Sequence, residues 1–180
     1  MNCIILKHDV SFQKDVSELY LSAFPENERP PLHWFLRCLY SCVQNEVFSY
    51  YEDGFIGFAE ITIHQDIVYI CFLAVTEENR NKGYGSKIIS DIKDKYPGYT
   101  LLVCFEEVDE KYPDYDNRKR RQNFYIKNGF KENNLKTREG DVIFQSAYCG
   151  KRKVTFAEYK ILFDQCYGKE ASDTYLREVK

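Results

Sequence analysis

Long apolar runs, Cys-x-x-Cys pairs and repeated segments are all missing from this 180-residue chain. No apolar run approaches the roughly 20 residues that a bilayer needs, so no membrane partner is expected. The opening Met1-Asn2-Cys3-Ile4-Ile5-Leu6-Lys7-His8 has neither a basic start nor a long apolar core, which argues against a secretory signal. Seven cysteines, at 3, 38, 42, 71, 104, 149 and 166, include no Cys-x-x-Cys, and only Cys38 and Cys42 stand one helical turn apart. Their number is odd and most lie in apolar runs, so reduced, metal-free thiols in a cytoplasmic protein are expected. Positive charge is also short, with a net charge of −3 that speaks against a nucleic-acid partner. Arg118-Lys119-Arg120-Arg121 is a basic cluster, but four consecutive charges spread around a helix rather than lining one face. The composition, 44% hydrophobic and 29% charged, describes a single globular domain over 1–180, too short for two ordinary ones.

What is present concentrates between residues 67 and 105. Ile67 to Val75 is almost uninterrupted apolar and β-branched sequence, the pattern of a buried strand. Ile88, Ile89 and Ile92 then recur at helical spacing until Pro97-Gly98 forbids continuation. Between them stands Arg80-Asn81-Lys82-Gly83-Tyr84-Gly85-Ser86. Two glycines at a strand-to-helix junction let backbone amides converge with the positive helix end behind them, which attracts phosphate. No Gly-x-x-x-x-Gly-Lys-Ser/Thr is present, which argues against a P-loop nucleotidase. Ile88 occupies the place of the third glycine that a dinucleotide fingerprint requires. A plain tight turn with a surface arginine is the alternative.

A second block, Asn123-Phe124-Tyr125-Ile126-Lys127-Asn128-Gly129-Phe130, follows after one strand-like segment, Thr100 to Phe105. Taken in order, Arg-x-x-Gly-x-Gly and Tyr-x-x-x-Gly-Phe resemble the acyl-CoA-binding motifs of the GNAT acetyltransferase superfamily. The resemblance runs roughly from Ser11 to Phe130 and is to bacterial members of unassigned substrate. It implies a mixed α/β fold, with a central, mostly antiparallel mixed sheet flanked by helices.

The remaining segments suit that layout. Asn2 to Leu6 reads as a strand. Ser11 to Ala23 reads as an amphipathic helix on Val16, Leu19, Tyr20 and Ala23. Leu32 to about Val43 reads as a second helix, begun by Pro30-Pro31. Val47–Tyr51 and Phe55–His64 flank Glu52-Asp53-Gly54, a hairpin signal. A further pair, near Leu135 and at Val142–Tyr148, turns at Glu139-Gly140-Asp141. Thr155-Phe156-Ala157-Glu158 is a capping box for an extra C-terminal helix that reaches about Tyr167 and ends at Gly168. Residues 1–150 thus form the core, 151–168 the C-terminal helix, and 169–180 a frayed polar tail.

The resemblance also implies roles. The strand before the glycine loop opens from its neighbour, so that Leu73, Ala74 and Val75 offer backbone hydrogen bonds to the pantetheine arm of acetyl-CoA; a fully paired central strand is the alternative. Arg80, Asn81, Lys82, Gly83, Tyr84, Gly85 and Ser86 cradle the pyrophosphate. Many relatives place a small residue or Asn seven positions before the tyrosine, where this chain has Arg118; Asn123 is an alternative cofactor contact. Tyr125 takes the place of the general acid that protonates the departing thiolate, a role open to a phenol within hydrogen-bond reach. An attacking ammonium, with a pKa of about 10, must first lose a proton. Some relatives carry a glutamate for this on the strand before the loop, at the position of Tyr69. The base is therefore left open among Glu60, Glu106 and Glu28, with His33, His64 or a chain of waters as further options. Acidic residues from Glu106 to Asp116 either favour a cationic substrate or form a solvated loop.

The acceptor pocket would come from the Phe24–Pro31 loop, the second helix and the segment after Glu139. Trp34, Phe35 and Tyr40 either line that pocket or pack in the core. The implied activity is direct acetyl transfer from acetyl-CoA to a primary amine of a small molecule or peptide, in a ternary complex. A main-chain amide near Leu73 would stabilise the developing oxyanion. Neither a metal nor a cysteine is required. A catalytically inactive acyl-CoA-binding sensor or subunit is the rival reading, and a homodimer is left open.

Overall fold

Strand pairing around Ile67–Val75 organises the molecule, and the computed structural model describes it over residues 1–179. Side chains of Asn27, Cys38, Leu39 and Ser41 fall outside that description, and with Cys38 the Cys38–Cys42 neighbourhood. The strands are β1 (Asn2–Ile5), β2 (Asn45–Tyr51), β3 (Phe55–His64), β4 (Ile67–Val75), β5 (Thr100–Glu106), β6 (Lys131–Glu139), β7 (Val142–Cys149) and β8 (Leu176–Val179). They form one sheet in the order β1-β2-β3-β4-β5-β7-β6-β8. Only β4 and β5 pair in parallel; the other neighbours are antiparallel. The crossover between them is α3 (Tyr84–Lys95), as a parallel pair demands.

Helices α3 and α4 (Tyr115–Lys127) cover one face of the sheet. There Ile88, Ile89 and Ile92 meet Val68, Ile70, Leu101 and Val103. Each such isoleucine, taken fully from water, contributes about 1.5–3 kcal/mol. The other face carries α1 (Gln13–Ala23), α2 (Leu32–Ser41) and α5 (Phe156–Tyr167). On it, Val16, Tyr20 and Phe35 pack on Phe58 and Phe72, while Tyr159, Leu162 and Phe163 pack on Tyr69 and Leu102. The Thr155–Glu158 capping box is formed at the start of α5.

The residues beyond Gly168 differ from the expected frayed tail. They form α6 (Lys169–Tyr175) and then β8, which pairs with β6 from Leu176↔Glu139 to Val179↔Lys136. The cause is local. Leu176 is only 4% exposed, and Lys160 Nζ joins Ser172 Oγ at 2.6 Å and Asp173 at 3.0 Å. One buried leucine and a small polar network tie down a segment that composition marks as solvated.

Candidate active site

The site begins at an irregularity in β4. Ile61 of β3 faces Ile70, but Glu60 faces Phe72, so Cys71 is an extra residue, a β-bulge. Cys71 and Phe72 therefore both point toward the α1–α2–α5 face, while Leu73 and Val75 return to the α3–α4 face. The parallel ladder to β5 stops there, at Ile70↔Val103. Beyond it the two strands diverge, leaving the β5-facing edge of Leu73, Ala74 and Val75 unpaired. A cavity of about 260 Å³ occupies the split and reaches both faces of the sheet.

Arg80 lines one end of the cavity, beside Val75, whose carbonyl accepts from Arg80 Nε at 3.3 Å. The loop then turns through Asn81 (φ 61°) and Gly83 (φ 84°), both left-handed. Gly83 is the N-cap of α3 and no side chain caps the helix. The first helical bond there runs from Lys87 N to Gly83 O, which leaves the amides of Tyr84, Gly85 and Ser86 without helical partners. Nothing lies within 4 Å of where a Cβ on Gly83 would stand, so the ground before these amides is open. Gly85 has a different reason, since a Cβ there would press on the Phe124 ring at 3.1 Å. Tyr84 turns away, donating from its hydroxyl to Glu52 at 2.9 Å. Open donors at a positive helix end beside an unpaired strand edge fit the diphosphate and amide-bearing arm of acetyl-CoA.

Across the cavity, α4 presents Tyr125. Its ring stacks on Phe105 at 5.4 Å and meets Phe130 edge-on at 5.5 Å. Gly129 (φ 85°) ends the helix, and Phe130 N returns to Tyr125 O at 3.1 Å, which fixes this packing. The residue is 9% exposed, lines the cavity, and its hydroxyl has no hydrogen-bond partner among the described residues. Burial pushes the phenol up to about 12, partly opposed by the charge of Arg121 one turn earlier. Arg121 is ion-paired with Glu106, which ends β5 at 2% exposure and lines the same cavity. Glu28 lines it too; burial raises its pKa, against the charges of Arg121 and Arg118.

The remaining sequence candidates separate clearly. Glu60 is 2% exposed in mid-strand and does not line the cavity; alternation along β3 puts it on the α5 side. With no cation beside it, burial alone raises its pKa to about 8. Asn123 is exposed on α4, away from the cavity. His33, His64, Trp34, Phe35 and Tyr40 also lie off it, and Phe35 is core. The acidic loop is held by ion pairs, with Glu107 between Lys111 and Lys136 at 2.8 Å each and its carboxyl lowered to about 2 chiefly by those hydrogen bonds.

Sequence reasoning did not find the far compartment, lined by Tyr69, Cys71, Cys104, Glu139, Phe144 and Tyr167. Burial raises both cysteine thiols above their ordinary range, and Cys71 Sγ sits 3.0 Å from Cys166 Sγ. A signal for Glu139 existed: Asn133, Leu135 and Thr137 are the inward residues of β6, and Glu139 is next in that period.

Residues 44–132 match the family model described as an acetyltransferase (GNAT) domain. Among solved structures, the fold is similar to a protein from Bacteroides thetaiotaomicron described as an acetyltransferase of the GNAT family. That match has a TM-score of 0.73 and 22% identity, covering 93% of this chain and 99% of that one. It is also similar to the ribosomal-protein-S18-alanine N-acetyltransferase of Escherichia coli, at TM-score 0.61 and 14% identity over 86% and 96% of the two chains. A GNAT family acetyltransferase from Elizabethkingia anophelis, with acetyl-CoA bound, matches at TM-score 0.58 and 15% identity over 83% and 97%. No curated protein matches the chain in sequence.

Proposed function

We propose that this chain, whose residues 44–132 match the acetyltransferase (GNAT) domain, transfers an acetyl group from acetyl-CoA to a primary amine by direct attack in a ternary complex. The observation that carries this reading is the cavity through the β4–β5 split, with an unpartnered phenol on one wall and open amides beyond its mouth. Acetyl-CoA supplies an activated thioester and a thiolate leaving group. Tyr84, Gly85 and Ser86 hold the diphosphate through main-chain N–H groups, with Arg80 and Lys82 adding charge. Leu73, Ala74 and Val75 pair their free edge with the pantetheine amides, and an amide of this edge donates to the carbonyl oxygen as charge develops there. Tyr125 gives its proton to the departing sulfur, and a phenol held near 12 is fully protonated for that task at neutral pH. Cys71 and Cys104 stay thiols at neutral pH, which disfavours a covalent acyl-enzyme.

Glu106 is tied to Arg121, so among the sequence candidates Glu28 is the carboxylate best placed to take the amine proton, directly or through water. All these groups belong to one chain, so the chemistry does not require a homodimer. The six described cysteines are free thiols, which suits the cytoplasm. Among the described residues no helix is long and apolar enough to cross a membrane.

Tyr125→Phe tests the assignment. Thiol release in an amine panel should fall about 100-fold, within the usual worth of a general acid, while acetyl-CoA affinity by calorimetry changes less than about twofold. Unaltered turnover would remove Tyr125 from the chemistry. Gly83→Leu should instead weaken coenzyme binding, because its open ground and left-handed backbone are both lost. Tight binding of acetyl-CoA with no turnover of any amine by the parent protein would favour a binding module.

A further inference from the structure

The cavity carries three carboxylates, and they differ in their counter-ions. Glu106 is ion-paired with Arg121, and Glu28 faces the guanidinium groups of Arg121 and Arg118. Glu139 has no cation partner among the described residues. Its Oε1 accepts from Tyr159 Oη at 2.7 Å and from Thr137 Oγ1 at 2.9 Å, while Oε2 accepts no hydrogen bond there. Burial raises its pKa, opposed by those two hydrogen bonds. A partly buried carboxyl that is oriented by two donors and has no positive charge beside it either keeps its proton or is satisfied by an incoming cation.

Its surroundings say what kind of cation. The cavity that Glu139 lines also has Tyr69, Phe144 and Tyr167 in its walls, with the Tyr69 hydroxyl 3.3 Å from that of Tyr159. Aromatic faces attract ammonium groups and accept apolar chains. About 260 Å³, shared with the acyl end of the coenzyme, admits a small amine or the tip of a longer one. The position is held from behind, because Glu139 pairs with Leu176 of β8.

We propose that Glu139 Oε2 receives the ammonium group of the acceptor at the far end of the cavity, and that this acceptor is a primary amine on a short apolar or aromatic chain. The inference rests on the acetyl-transfer reading of the cavity and names its substrate class.

The test uses the full chain loaded with CoA and calorimetry with 2-phenylethylamine and butylamine, against 2-phenylethanol, 1-butanol and phenylacetate. At least one amine should bind tenfold or more tightly than its alcohol, and phenylacetate should not bind. In Glu139→Gln, whose amide oxygen still accepts from Tyr159, that preference should fall below threefold with CoA affinity unchanged. The proposal is overturned if CoA binds normally but the parent prefers neither amine, or if Glu139→Gln keeps the tenfold preference. Failure of CoA to bind the parent would overturn the acetyl-transfer reading itself, and this inference with it.

Discussion

Tyr125 and Glu60 are both buried titratable groups, and what each one faces separates their uses. The phenol opens on the cavity, whereas the carboxyl of Glu60 is enclosed, and its Oε2 has no partner among the described residues. For Glu60 the consequence is pH-dependent stability. Its folded pKa of about 8 lies above the ordinary 4.5, so between those values the folded state keeps a proton that the unfolded chain has shed. Stability therefore falls as pH rises through that window. Glu60→Gln should match the parent near pH 5 and exceed it near pH 8.5 by on the order of a few kcal/mol in urea unfolding, with acetyl-CoA affinity unchanged. Parallel pH profiles for the two proteins would contradict this. The sequence names Glu60 as a candidate base because it sees only an acid on a strand beside the key one. It does not reveal which face that acid takes, because a bulge in the neighbouring strand decides what lies opposite. The placement of Tyr125 was legible because its register is fixed by Gly129-Phe130, a helix stop and a core anchor four and five residues further on.

Strands β3, β4 and β5 and helix α3 follow the hydrophobic periodicity closely, since each has one face or both fully buried. The bulge at Cys71 left no such mark. An extra apolar residue inside an all-apolar run looks like any other, yet the β4–β5 ladder ends just before it and the cavity opens there. The C-terminal strand was missed for the opposite reason: four residues with a single buried leucine are too short to show a period. Leu176→Ala separates an ordered strand from a frayed tail. Removing that side chain should cost about 2–5 kcal/mol in urea unfolding, as for other buried leucines. A change under about 0.5 kcal/mol would mean that β8 contributes no fixed packing. Because β8 flanks Glu139, the same variant should loosen the far compartment while leaving the glycine loop, at the other end of the cavity, undisturbed.

Fifteen tyrosines in one chain look, in sequence, like a surplus with no assigned purpose. In the fold they divide. Tyr50, Tyr69, Tyr125, Tyr159 and Tyr167 all have hydroxyls whose ionisation burial opposes, three of them around the far compartment. Alkaline behaviour should therefore be cooperative across the protein. Above a pH of about 10 an unfolded tyrosine ionises, while these five keep their protons in the folded state. The folded state then binds more protons than the unfolded one, so stability declines with rising pH from that point. With several groups pulling together, the decline is steep and unfolding precedes their ionisation. Absorbance at 295 nm should show exposed tyrosines titrating smoothly near 10, then a sharp second step coinciding with loss of the circular dichroism signal. A smooth titration of every tyrosine with the fold intact would mean that these hydroxyls reach water, and the burial of Tyr69 and Tyr159 beside Glu139 would no longer stand.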